Sequence, residues 1–122
     1  MIVDPAHRHY DLEERTAKFG EDVIGFARTI SLDAVTRCLV TQIVRSATSV
    51  GANYVEANEA DTRKDFKYRI GICRRESKET RHWLRMIVAA SGTHRDSAAD
   101  LWREADELAR IFGRIKQSTK TD

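Results

Sequence analysis

The chain has 122 residues, 41% hydrophobic and 33% charged, with one proline and a formal net charge of +2. That length suits one domain with one core, and so much charge with so little proline argues against a turn-rich β sandwich and for a soluble, helix-rich protein. No apolar run approaches the roughly 20 residues that cross a bilayer, and the opening MIVDPAHRHYDLEER lacks the basic-then-apolar order of a secretion signal; no membrane partner is expected, and the expected location is the cytoplasm.

Residues 1–10, with Pro5 and the His7-Arg8-His9 run, show no period and are expected to form a mobile tail. Two histidines two apart lack the further ligands that a stable metal site requires. From Asp11 the pattern turns helical: Leu12, Thr16, Phe19, Val23, Phe26 and Ile30 alternate steps of four and three, with Asp11, Glu13 and Glu14 in the first turn, where the helix dipole favours negative charge. The spacing predicts a helix over 11–30. Ser31-Leu32-Asp33 is too short a link for anything but an antiparallel return, and Ser31 or Asp33 can cap the next helix.

That second helix, predicted over 34–59, carries the seam Thr36, Val40, Ile43, Ala47, Val50, Tyr54 and Ala57. Thr62 with Asp65 resembles a weak capping box before a third helix over 63–90, whose seam is Phe66, Ile70, Cys73, Ser77, Thr80, Leu84 and Ile87. Gly92 can supply a left-handed stop, and Asp96 or Ser97 can start a last helix over 97–117 with Leu101, Ala105, Leu108, Phe112 and Ile115 inward. The fold class is therefore all-α, an antiparallel up-down-up-down four-helix bundle over 11–117 with a C-terminal tail at 118–122.

Beside the apolar seam of the second helix runs a polar ladder: Gln42, Ser46, Ser49, Asn53 and Glu56. Part of it must lose water on packing, and an unpaired buried polar group costs roughly 1–3 kcal/mol. Glu76, Glu79 and Trp83 occupy a corresponding arc of the third helix, so with Arg45 these groups form a candidate polar network or interface, within one chain or between subunits. A ligand or ion site is the alternative. Trp83 is expected inside the bundle and Trp102 nearer its surface. Cys38 points away from its seam and Cys73 lies on one, a geometry awkward for a disulfide, and both are expected to stay reduced.

Glu79-Thr80-Arg81-His82 spells one half of a di-iron bundle motif, but a second copy is missing. No nucleophilic triad or phosphate loop is visible, so neither a metal, a cofactor nor an enzymatic activity is expected. Charge carries the strongest signal. Residues 1–34 hold four Lys/Arg against seven Asp/Glu, whereas 61–96 hold ten against five. Lys64, Lys67, Arg74, Arg75, Lys78, Arg81 and Arg85 share one arc of the third helix, away from Asp65, Glu76 and Glu79. Like charges a turn apart repel, partly relieved by pairs such as Arg75 with Glu79. This arc is the candidate nucleic-acid-binding surface, suited to phosphate backbones of RNA or DNA. Coverage by acidic side chains of the first helix, within or between subunits, or by an acidic protein partner, remains open. Tyr68 and His82 lie on the same side but are too few to make a stacking platform.

The segments YDLEERTAKF (10–19), QIVRSATSVGANYVEA (42–57), DFKYRI (65–70), RRESKETRHWLRMI (74–87) and EADELARIFGRI (104–115) together resemble a bacterial four-helix-bundle family first noticed as reading frames within intervening sequences of 23S ribosomal RNA genes. The most specific parts are Arg45-Ser46, the run Ser49-Val50-Gly51-Ala52-Asn53 with Glu56, and the set Glu76, Glu79, Trp83 and Leu84; His82 stands where the family commonly has an aromatic such as Tyr. The resemblance implies an up-and-down bundle assembled into a homo-oligomeric ring, commonly of five copies. It also implies kinship with the accessory variability proteins of diversity-generating retroelements, which bind nucleic acid and work with a reverse transcriptase. Its implied partners are thus further copies of itself, RNA or DNA, and a nucleic-acid-processing enzyme; the alternative is a structural or protein-interaction module with no nucleic-acid role.

Overall fold

The computed structural model describes residues 11–120, so the expectations for the first ten residues, including the His7 and His9 pair, fall outside it. Four helices follow one another: α1 (Leu12–Arg28), α2 (Ala34–Asn58), α3 (Arg63–Ala90) and α4 (Arg95–Ser118). Each boundary has a local cause. Asp33 accepts from the N–H groups of Val35 and Thr36, both at 2.8 Å, while Thr36 Oγ1 accepts from the Asp33 N–H in return, a reciprocal cap with Thr at the third position. Those two backbone bonds also hold the Asp33 carboxyl below the usual carboxylate range. Thr62 Oγ1 accepts from the Asp65 N–H at 3.0 Å and starts α3.

Two sequence expectations fail between α3 and α4. Among the described residues no glycine has positive φ, so Gly92 does not act as a left-handed stop. The chain instead tightens into a 3-10 turn, Gly92–His94, and α4 starts at Arg95, ahead of Asp96 and Ser97, without a side-chain cap. His94 holds this corner against α1: its ring meets Phe26 edge-on at 6.0 Å. At the other end α4 runs on through Ser118, into the expected tail.

The helices are arranged in a cycle. α2 packs on α3, α3 on α4 and α1 on α2, while α1 meets α4 sparsely and does not pack on α3, its diagonal neighbour. Partners run in opposite order, as an antiparallel bundle requires: Ser46 and Asn53 of α2 bond Thr80 and Arg69 of α3, and Arg81 and Gly71 of α3 meet Asp106 and Lys116 of α4. The heptad seams meet at the centre. Phe19, Val23, Ile43, Val50, Ile70, Leu84, Ile87, Leu108 and Phe112 are fully buried, and the Tyr54 ring tilts against Phe112 at 5.9 Å. Each such side chain contributes about 1.5–3 kcal/mol by leaving water.

Hydroxyls within the seams bond backward along their own helices, Thr16 to the Leu12 carbonyl at 2.7 Å and Ser77 to that of Cys73 at 2.8 Å, so they enter the core without an unpaired group. Gly51 of α2 faces Thr16 of α1, where an added Cβ would stand in ordinary contact, 3.5 Å from the Thr16 backbone.

Candidate nucleic-acid interface

α3 has two polar flanks, one towards α2 and one towards α4. On the α2 side, Arg45 Nη1 donates to Glu76 Oε2 at 2.8 Å and Nη2 to Glu79 Oε1, and Trp83 Nε1 donates to the same Glu79 oxygen at 3.3 Å. Gln42 accepts from Arg45 Nε at 3.4 Å. The Glu76 side chain is only 7% exposed against 48% for Arg45, so a nearly dry carboxylate is matched by a guanidinium that reaches in from the rim. The bond to Glu76 in turn raises the Arg45 pKa above its already high ordinary value.

One turn deeper, the hydroxyls of Ser46 and Thr80 meet at 2.8 Å in full burial. Asn53 then donates to the Ser49 carbonyl and hydroxyl at 2.9 and 3.0 Å and accepts from Arg69 at 3.2 Å. The ladder residues Gln42, Ser46, Ser49 and Asn53 are therefore bonded within one chain, whereas Glu56, one turn further on, is exposed. Glu79 serves Arg45 and Trp83 rather than Arg75, because its arc faces α2 while Arg75 projects into solvent. Trp83 is half-buried against the core, with the exposed His82 edge-on to it at 4.9 Å, and Trp102 is 41% exposed.

The other flank has the opposite character. Between α3 and α4 runs an open groove of about 880 Å³, and α3 contributes Lys67, Arg74, Lys78 and Arg81 to it. α4 contributes Arg110, Arg114, Lys116 and Gln117, with Asp106 as the carboxylate. Asp106 pairs with Arg81 and, at 3.0 Å, with Arg110. Arg74, Lys78, Arg114 and Lys116 form no ion pair among the described residues.

The single cationic arc read from α3 thus divides. Lys67, Arg74, Lys78 and Arg81 face the groove; Lys64, Arg75 and Arg85 are exposed outside its lining; and Arg81 is not a free cation, since its charge is met by Asp106. The acids of α1 do not cover the stripe within the chain, because α1 lies across the diagonal from α3.

The contribution of α4 is absent from the sequence reading because α4 is balanced in charge. Its acids and bases are sorted by face. Glu104 and Glu107 turn to α1, where Arg15 bonds both oxygens of Glu104 at 2.7 and 2.8 Å and reaches Glu107 at 3.2 Å, while Arg110 and Arg114 turn to the groove. The step of four from Arg110 to Arg114 and of three to Gln117 is the helical signal that a wheel drawn on this segment exposes.

Among the described residues no cluster of three His, Cys, Asp or Glu is placed to hold a metal. Glu79 of the half di-iron motif is engaged by Arg45, while His82 lies exposed. The two cysteines stand apart as expected: Cys38 is exposed and Cys73 buried, its thiol donating to the Val50 carbonyl at 3.4 Å. Burial pushes the Cys73 thiol up to about 12. No described helix is long and apolar enough to cross a membrane.

The profile of a family described as 23S rRNA-intervening sequence protein matches residues 8–114. Among solved structures, the chain is similar to a protein of unknown function from the S23 ribosomal protein family of Bacteroides thetaiotaomicron VPI-5482. The two superpose with a TM-score of 0.75 at 22% sequence identity, over 87% of this chain and 98% of that one, a likeness of fold. No curated protein matches the chain.

Proposed function

This chain belongs to the 23S rRNA-intervening sequence protein family, and from that premise we propose that it is a non-enzymatic, homo-oligomeric bundle that binds RNA or DNA through the α3–α4 groove. The observation that carries the reading is the groove's charge: seven cationic side chains against one carboxylate among the described residues. Repulsion among like charges at helical spacing costs stability, and a polyanion that displaces its own counterions relieves it. Such contacts go to phosphates and carry no base information, so the binding is indifferent to sequence. A ring, of five copies as the family resemblance implies, would repeat the groove around one axis and multiply weak contacts into avidity. An accessory role beside a nucleic-acid-processing enzyme fits a binder without chemistry of its own.

The test is a solution mass measurement followed by binding to a mixed-sequence oligonucleotide over a salt series. Reversing Arg74, Lys78 and Arg114 to Glu together is expected to weaken binding on the order of 100-fold and to flatten the salt dependence, while helix content is kept. Binding that ignores both the reversals and the salt rejects the reading.

A second reading rests on another surface. α1 and α2 enclose an apolar groove of about 370 Å³ floored by Gly20, Gly51 and Ala52, with Ile24 and Val55 exposed on its walls. On that reading the protein is an interaction module, and Val55→Asp would disturb assembly or partner capture while the charge reversals leave both intact.

A further inference from the structure

We infer that the α3–α4 groove is shaped for an unpaired strand of nucleic acid and not for a duplex, with the strand's backbone over Arg74 and Lys116 and a base stacked at Trp102. The inference rests on the phosphate-binding reading of the same groove and adds to it the form of the ligand.

The facing surfaces of α3 and α4 supply the first argument. Two glycines face two cations across the helix pair. A Cβ on Gly113 would stand 3.4 Å from Arg74 Nε, and one on Gly71 would stand 3.2 Å from Lys116 Nζ. Each long side chain therefore lies in the gap left by the glycine opposite it. Arg74 and Lys116, both exposed, are thereby laid along the facing helix, and a side chain at Gly71 would push the Lys116 ammonium aside.

Dimensions supply the second. Neighbouring helix axes lie about 8–10 Å apart, so the channel between them is narrower than one helix. A B-form duplex is broad enough for its major groove, about 12 Å wide, to admit a whole helix. Its rigid, convex backbone can follow such a channel over only a short length. A single backbone can follow the channel. From Lys67 to Arg81 the lining spans about 21 Å at the helical rise, room for on the order of four nucleotides, the low end of single-strand site sizes.

The end of the channel supplies the third. Arg81 lies 5.5 Å over the Trp102 ring, and Asp106 holds the guanidinium there. Asp106 thereby meets the charge of Arg81 and holds it over Trp102, whose ring is itself exposed. Aromatic and guanidinium planes beside a basic groove are the surfaces on which unpaired bases stack.

The experiment compares a 12-nucleotide single strand with its blunt duplex on the full chain at one low salt concentration, with inorganic tripolyphosphate as competitor. The single strand is expected to bind at least about tenfold tighter than the duplex and to quench tryptophan fluorescence. Trp102→Ala should weaken the strand roughly tenfold, abolish the quenching and change duplex binding less than about twofold. Gly113→Leu, which fills the gap beside Arg74 at unchanged charge, should also weaken the strand, with helix content and melting temperature measured to show an intact bundle. Equal or tighter duplex binding, a strand indifferent to both substitutions in folded protein, or displacement by tripolyphosphate at equal phosphate concentration overturns the inference and leaves phosphate binding standing. Failure of every nucleic acid to bind at low salt overturns both.

Discussion

α3 presents two arginine-bearing flanks, and they are treated in opposite ways. Towards α2, Arg45 and Arg69 end on Glu76, Glu79 and Asn53, and the buried hydroxyls of Ser46 and Thr80 satisfy one another. Towards α4, Arg74, Lys78, Arg114 and Lys116 crowd together, and Asp106 answers only Arg81 and Arg110. The same residue types therefore have different duties. A polar network with every bond made fixes the register of two helices, whereas an unanswered set of charges costs stability, which on the proposed function an anionic ligand offsets. Counting charges along α3 cannot separate the two flanks; asking which charges have partners does.

The sharpest way to break this contrast is to open the satisfied side. Arg45→Ala strands the Glu76 carboxylate in a nearly dry site and is expected to cost about 2–3 kcal/mol in chemical denaturation. Nucleic-acid affinity per folded molecule should stay unchanged; a joint loss would mean that the flanks are not independent.

Next comes the alkaline limb of the same seam. Cys73 titrates near 12 in the folded chain against an ordinary 9.0, so folding favours the neutral thiol. Its stabilising contribution is complete below about pH 9 and is lost as pH rises towards 12, at roughly 1.4 kcal/mol per pH unit. Denaturation midpoints measured across that window should fall more steeply for the wild type than for Cys73→Ala.

Relieving the groove of its carboxylate gives a smaller effect of opposite sign. Asp106→Asn frees Arg81 and Arg110 and should tighten duplex binding about three- to tenfold with a steeper salt slope. The stability cost should be about 1–2 kcal/mol, because the Arg81–Asp106 pair is partly buried while Arg110 is exposed. The smallest expected change comes from Lys64→Glu or Arg75→Glu, cations outside the groove, which should alter affinity by less than about threefold at physiological salt because exposed charges beyond about 8 Å are screened. An effect as large as that of Arg74→Glu would show that the outer face, and not the groove, is the binding surface.

The bundle was legible because its signal is periodic. The seams from Leu12 to Ile30 and from Phe66 to Ile87 predict which face is buried, and Asp33 and Thr62 cap as their types suggest. The corner at Gly92–His94 was not, since a short 3-10 turn is set by where α4 must dock, through contacts such as His94 on Phe26 that belong to no local pattern. The groove was half legible. Its α3 wall stands out as a charge excess, but its α4 wall hides in a helix of balanced charge whose acids face Arg15. The roles of Gly71 and Gly113 are invisible until the opposite helix is in place, because a glycine without positive φ acts through the side chain laid across it.

One consequence follows from the uneven closure of the helix cycle. α1 shares a full interface with α2 but approaches α4 more sparsely, and outside the shared core its other edge is tied by Arg15 on Glu104 and Glu107 and by Phe26 under His94 of the preceding turn. With fewer contacts on that side, α1 is the helix expected to open first. Its amide protons should exchange with solvent well before those at the centre of α3, and that breathing would uncover the Phe19 and Val23 side of the core without melting the groove.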